Sequence, residues 1–491
     1  MKKYFAVLLL TISLYACNKE EEAAVDGSEK NTIIVGRING AESVDLHQLT
    51  AYAYDYLSTD YEEYSAELSA NGDFRFDIPM TQAAELTIVG RTPFSVFAVP
   101  GDSIHISVSS KEDIPPFNGR YQFTGDRQVA NERLMVYKES FPLDVQQFYD
   151  SQEPDAMQAF LAYMDAGQKT LKDFNSEFLK DIDDDVLTNY IKAQENFYIP
   201  TTRLDFANYR SYYGLESPDA DGAYYKFIEN IPAVKHEDLV NTGTMQRLIY
   251  NLTYHLRSEA RATADGEMDD NDMDLKAIEI ATAKKNTGLL YDYVIHDLVY
   301  ASLNDHNIVV YEKAKEKINS RISEPRILES ISSRYQEEKD LLKSPELPEG
   351  AELLTFESEN PENYLEEIVA NANGKVIYID NWATWCGPCK VEFKEASPQL
   401  HQKFEEDVEF IYLCHNSERR AYIPYIAQFK IKGKHYFLED EASEVISRQI
   451  NLEGFPTYTI FNKKGEIVQS DYIHRPSYPA TTDLLTKLVN E

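Results

Sequence analysis

The stretch VIYIDNWATWCGPCK, Val376 to Lys390, sets two cysteines two residues apart, directly after an apolar run and just past a tryptophan. Such a pair can be a structural disulfide, half of a metal site, or a dithiol that makes and breaks its bond. A zinc site needs four ligands, usually a second paired motif, and outside the N-terminal segment the only other cysteine is Cys414. Haem attachment needs histidine directly after the second cysteine, where Lys390 stands. A structural disulfide across so short a loop restrains little of the unfolded chain. The redox reading has positive support. The apolar strand Val376 to Ile379 leads through a turn into a helix whose first turn carries Cys386. Free backbone N–H groups and the helix dipole there favour a thiolate, with a pKa below the free value near ~8.5. Cys386 is therefore the candidate nucleophile. Cys389, one helical turn on and more buried, is placed to attack the mixed disulfide and close a Cys386–Cys389 redox disulfide.

Outward from this motif the chain alternates strands and helices. From Lys375 it reads KVIYID, a helix after Cys386, VEFIYLC, a helix within Glu418 to Lys430, TYTIF, the turn NKKG, EIVQS, and a last helix near Asp483 to Val489. That alternation predicts a parallel or mixed sheet covered by helices. Upstream, KSPELPEGAELL carries two prolines and a glycine and reads as a linker. From Asp126 to Lys343 the period is helical: Phe160, Met164, Leu171, Phe174 and Phe178 form one stripe, and Leu290, Val294, Leu298 and Ala301 another. From Asn31 to Phe123 the pattern is strand-like. Asn71-Gly72 is a hairpin signal ahead of alternating Phe74, Phe76 and Ile78, and a Pro-Gly-Asp turn precedes Ile104, Ile106 and Val108. In the acidic run DDNDMDL, Asp270, Asp272 and Asp274 have the spacing of a calcium loop. Leu275 stands where that loop needs glycine and Ala281 where it needs glutamate, so a solvated loop is expected. SPDADG reads as a turn and DIDDD as a helix start.

WATWCGPCK followed by EGFPTYTIFNKKGEIV resembles the thioredoxin fold, in particular the TlpA/ResA branch of membrane-tethered bacterial thiol-disulfide oxidoreductases. The resemblance covers Leu353 to Glu491. It implies that Pro456 follows a cis peptide beside the cysteines and binds the substrate backbone together with Phe455. It also implies that Asp380 and Glu392 assist proton transfer, a buried carboxylate with a raised pKa taking the proton of the resolving thiol. Trp382 and Trp385 are expected around the site, with Trp385 on the substrate side; both also read as plain core aromatics. Two features depart from the family. The proline that usually kinks the helix after the cysteines is replaced by Lys394, and Cys414 reads as an inert buried thiol with His415 beside it given no role. Ala383 stands where a peroxidase of this superfamily carries threonine. The β and helical regions resemble the N-terminal extensions of TlpA-like lipoproteins in Bacteroidota.

The 491 residues suggest about three domains. With 43% hydrophobic and 12% aromatic residues the chain has enough apolar side chains for sizeable cores. Forty-eight basic against eighty-three acidic residues give a formal charge of −35, which excludes nucleic acid as an expected partner. The start, MKKYFAVLLLTISLYAC, sets two lysines before an apolar segment too short to span a bilayer but right for a signal peptide. Its end, Leu14-Tyr15-Ala16-Cys17, resembles the bacterial lipoprotein cleavage box, so Cys17 is expected to be acylated. The KEEE that follows resembles an acidic surface-export signal.

The expected organisation is a signal peptide at 1–16, an acidic tether at 17–30, an antiparallel β-sandwich-like domain at 31–125, an all-α domain at 126–343, a linker at 344–352 and an α/β thioredoxin fold at 353–491. The expected function is a protein-disulfide reductase lipid-anchored in the cell envelope, without cofactor or metal. Its partners would be cysteine-containing client proteins and a membrane electron donor. The alternative is a surface or periplasmic binding lipoprotein with a subsidiary redox domain.

Overall fold

The computed structural model describes residues 29–491 apart from 41–45, 91–92, 110–119, 152, 154, 219–221, 236–241, 265, 267 and 285–287. The signal segment, Cys17, most of the tether and part of SPDADG lie outside the described residues. Among those described, no helix is long and apolar enough to cross a membrane.

The N-terminal region is a sandwich of two four-stranded sheets. Its strands are β1 (Lys30–Asn39), β2 (Gln48–Asp55), β3 (Asp60–Glu67), β4 (Asp73–Met80), β5 (Ala84–Val89), β6 (Phe94–Ala98), β7 (Ser103–Ser109) and β8 (Tyr121–Gly125). The sheet orders are β4-β1-β7-β8 and β3-β2-β5-β6. Alternation does the packing: Phe74, Phe76 and Ile78 of β4 point inward with Ile104, Ile106 and Val108 of β7. Two details differ from expectation. The Asn71-Gly72 turn is tight, Gly72 N–H donating to Ser69 O at 2.8 Å with Gly72 at φ 78°. It does not make a hairpin: β3 pairs with β2, whereas β4 pairs with β1 in the other sheet. Turn chemistry fixed the bend but not the partner. Among the described strands of this region β1 and β7 alone pair in parallel, because the whole second sheet is inserted between them in sequence.

The central region is helical: α1 (Gln128–Glu139), α2 (Gln146–Tyr149), α3 (Ala156–Phe178), α4 (Asp185–Tyr212), α5 (Gly243–Ala262), α6 (Asp270–Ala283), α7 (Leu289–Asn304), α8 (Val309–Arg321) and α9 (Pro325–Lys343). Phe160 of α3 stacks on Phe206 of α4 with centroids 3.8 Å apart, and Leu290, Val294 and Leu298 of α7 are fully enclosed. Asp184 caps α4 through Leu187 N–H at 2.9 Å, as DIDDD implied. DDNDMDL is not a solvated loop. Asp269 caps α6 through Asp272 N–H at 2.8 Å, Asp270 and Asp272 occupy its positively polarised first turn, and Asp274 is buried against Arg257.

The C-terminal region is an α/β thioredoxin-like domain. It comprises β9 (Ala351–Leu354), α10 (Tyr364–Asn371), β10 (Val376–Trp382), α11 (Gly387–Glu395), α12 (Ser397–Phe404), β11 (Val408–Cys414), α13 (Arg419–Gln428), β12 (Gly433–Phe437), α14 (Asp440–Ile450), β13 (Thr457–Phe461), β14 (Ile467–Asp471) and α15 (Pro479–Asn490). Its mixed sheet runs β14-β13-β10-β11-β12-β9, with β10, β11, β12 and β9 parallel. β10 is central and wholly buried. The helix after the cysteines breaks despite Lys394. Pro398 has no N–H to give the Lys394 carbonyl and its ring crowds that oxygen, so α11 ends at Glu395 and α12 begins one residue beyond Ala396.

Candidate functional site

The site is built where β10 ends and α11 begins. Alternation along β10 splits its side chains between two cores: Ile377 and Ile379 enter one, while Tyr378 and Trp382 enter the other, with Cys386, Cys389 and Phe393. Trp382 is fully buried, edge-on to Phe393 at 5.2 Å between centroids. Cys386 is the N-cap of α11 rather than a residue of its first turn. Its backbone is extended and its Sγ accepts from Cys389 N–H at 3.1 Å. Gly387 and Pro388 open the helix, where a missing N–H costs nothing. The two cysteines form a disulfide with Cα atoms 5.3 Å apart. Cys389 is sealed, and Cys386 is 3% exposed at the rim.

The rim has one large open side chain. Trp385 is 60% exposed, its Nε1–H donates to Asn416 O at 2.8 Å, and its ring meets Phe455 edge-on at 5.5 Å. The Phe455–Pro456 peptide is cis and leads directly into β13. The fold thus gathers Cys386, Trp385, Phe455 and Pro456 at one end of the sheet.

The two carboxylates have different surroundings. Asp380, on the central strand, is 1% exposed, and neither oxygen has a hydrogen-bond partner among the described residues. Burial first, and then the charge of Glu392, push its carboxyl well above the ordinary carboxylate range. It is held as a neutral acid that can exchange a proton inside the core. Glu392 is equally buried but tied down: it accepts from Ser477 N–H at 3.0 Å and Ser477 Oγ at 2.8 Å, with Arg475 at 3.8 Å. It fastens α11 to the segment after β14.

Cys414 is buried, and burial pushes its thiol up to about 12. His415, given no role from sequence, sits at the centre of a buried network. Its Nε2–H donates to Asn381 Oδ1 at 3.1 Å, and its Nδ1 lies 3.0 Å from Ser443 Oγ, whose hydroxyl meets Asn416 Oδ1 at 3.0 Å. Asn381 Nδ2 donates to Thr457 O at 3.0 Å and Thr459 Oγ1 at 3.2 Å, which fixes the amide and hence the imidazole tautomer. Burial lowers His415 to about 3, so it stays neutral. The network braces the residue after Pro456 against the ends of β10 and β11. The signal available in the sequence was Asn381, a second polar residue after Asp380 in a largely apolar central strand, since such a group must find partners.

Residues 373–467 match the model of a thioredoxin-like family. A thioredoxin of Coprinus comatus is 56% identical over 34 residues, 7% of this chain; the match spans about a quarter of that relative, 27%. Among solved structures, a provisionally named thiol-disulfide oxidoreductase of Bacteroides vulgatus is 28% identical. It covers 25% of this chain and 78% of its own, with a TM-score of 0.23. A thiol:disulfide interchange protein of Chlorobium tepidum is 19% identical, covering 25% of this chain and 84% of its own, with a TM-score of 0.22.

Proposed function

We propose that this protein is a thiol-disulfide oxidoreductase that reduces disulfides in exported client proteins. In this reading it is held at a membrane of the cell envelope by acylation of Cys17 and resupplied by a membrane electron donor. The observation that carries the reading is the Cys386–Cys389 disulfide at the start of α11, open on the Trp385 side and backed by the unpartnered Asp380 carboxyl.

The steps follow from the positions. In the reduced form, the N-terminal end of α11 favours the Cys386 thiolate, which attacks one sulfur of a client disulfide. The client's other sulfur leaves as a thiolate and takes a proton from solvent. Asp380 must first release its own proton to solvent; the carboxylate so formed takes the proton of the Cys389 thiol, and the resulting thiolate attacks Cys386 Sγ. The Cys386–Cys389 bond forms and the second client sulfur leaves. Two electrons pass to the client, and a dithiol donor restores the pair.

Cys389→Ser tests the reading, since it leaves the nucleophile but removes the resolving thiol. Expressed in an envelope-bearing bacterium, it should accumulate mixed disulfides at Cys386 that dissolve in dithiothreitol. Client capture that persists when both cysteines are serine would refute the oxidoreductase reading in favour of the binding lipoprotein.

A further inference from the structure

The helical domain packs against the redox site itself. At the end of α7, the chain from Asn304 to His306 enters a seam beside α11 and α13. Lys390, directly after Cys389, donates to Tyr425 Oη at 2.6 Å and to Asp305 Oδ1 at 3.1 Å, and Tyr425 Oη lies 3.1 Å from Asn304 O. The His306 ring packs on Tyr425 at 4.2 Å between centroids, and its Nδ1 lies 2.6 Å from Glu338, which also pairs with Arg334. His306, Glu338 and Tyr425 are all buried, so the seam is a fixed junction.

Beside it opens a cleft of about 540 Å³, with Asp270, Met273 and Asn307 on the helical wall and Thr384, Trp385 and Asp440 on the redox wall. The volume lies within the roughly 300–1,000 Å³ range of built ligand sites. Its position joins it to the chemistry, because Trp385 is covalently next to Cys386 and presents its exposed ring there. The cleft's two cations are already engaged: Arg257 holds Asp274 through two bonds, at 2.6 and 3.1 Å, and Arg420 pairs with Glu418. Asp270 and Asp440, from opposite walls, have no ion-pair partner among the described residues.

We propose that this cleft binds an extended segment of the client polypeptide flanking its reacting cysteine, and that it prefers Lys or Arg there over Asp or Glu. The inference rests on the reading of Cys386 as the residue that exchanges with client disulfides. The Thr384 hydroxyl suits a peptide main chain, the Trp385 face attracts a cation, and the two unpaired carboxylates supply the sign.

The test uses the full chain in detergent and two disulfide-bonded peptides that differ in three Lys or three Glu beside the cysteine, with hydroxyethyl disulfide as the small substrate. The expected kcat/KM ratio, Lys over Glu, is about tenfold at low salt and falls toward one at about 1 M salt. Asp270→Asn with Asp440→Asn should cut that ratio at least about threefold. An equal charge change on α3, Asp173→Asn with Glu177→Gln, should leave it unchanged. Met273→Trp, which fills the cleft, should lower turnover of both peptides more than that of hydroxyethyl disulfide. A ratio near one, or a ratio lowered equally by the α3 pair, overturns the cleft inference while the redox reading stands. Failure to reduce hydroxyethyl disulfide overturns both.

Discussion

Replacing Asp380 by asparagine keeps the shape of the side chain and removes its proton, and the buried position sets both the sign and the slope of the outcome. In the unfolded chain this carboxyl ionises near 3.8, while in the fold burial and the Glu392 charge hold it protonated well above that. Between the two values the unfolded state binds one proton fewer than the native state. The stabilisation linked to this group is therefore complete below pH 3.8 and is lost as pH rises through the folded value. The limiting slope is about 1.4 kcal/mol per pH unit. Asp380→Asn lacks this titration, so its stability relative to wild type should climb with pH at that slope and then level off. At the acid end the variant exchanges one unsatisfied buried polar group for another, a difference on the order of 1 kcal/mol. Urea unfolding of both oxidised proteins from pH 4.5 to 8.5 measures the difference, and all titrations common to the two cancel. Tryptophan fluorescence follows the right domain, because the chain's two tryptophans, Trp382 and Trp385, both lie in it. The same variant should slow resolution of the mixed disulfide at neutral pH by about 10²-fold. A stability difference constant across the pH range would refute the assignment of Asp380 as a buried neutral acid.

Three further outcomes are expected. Burial lowers His401 to about 4 and His415 and His435 to about 3. Their stabilisation is present above pH 6.5 and is lost as pH falls toward those values, at up to about 1.4 kcal/mol per pH unit each, so the thioredoxin-like domain's unfolding midpoint should drop between pH 6 and 4. After mild reduction, an alkylating probe at pH 8 should label Cys386 but reach Cys414 only in denaturant, as mass spectrometry of the peptides will show. Phe160→Ala removes the ring stacked on Phe206 and should cost the helical domain about 3–5 kcal/mol by calorimetry, while reduction of hydroxyethyl disulfide is retained.

The cysteine pair was legible because its chemistry is local: an apolar strand, a turn and a helix start are contiguous in sequence and point to the same geometry. The stripes of α3 and α7 were legible for the same reason, since helical periodicity is written into neighbouring residues. Pairings between distant residues were not. His415 finds its partners Asn381 and Ser443 on other elements, and Lys390 meets Asp305 from another domain, so neither contact leaves a mark on local sequence. The Asn71-Gly72 turn announced a reversal but could not say which sheet the next strand would join. Asp269 to Asp274 misled because the composition of a solvated loop is also that of a well-capped helix start, and only Arg257, on α5, reveals which one forms.

The proposed chemistry is carried by the Cys386–Cys389 couple. Equilibrating the protein with dithiothreitol or glutathione buffers and trapping the free thiols gives its reduction potential. A reductase should show both thiols appearing together as one two-electron couple near about −270 mV. A bond that resists reduction below about −300 mV would be a structural disulfide and would contradict that chemistry, and a potential near about −120 mV would contradict the direction of electron flow.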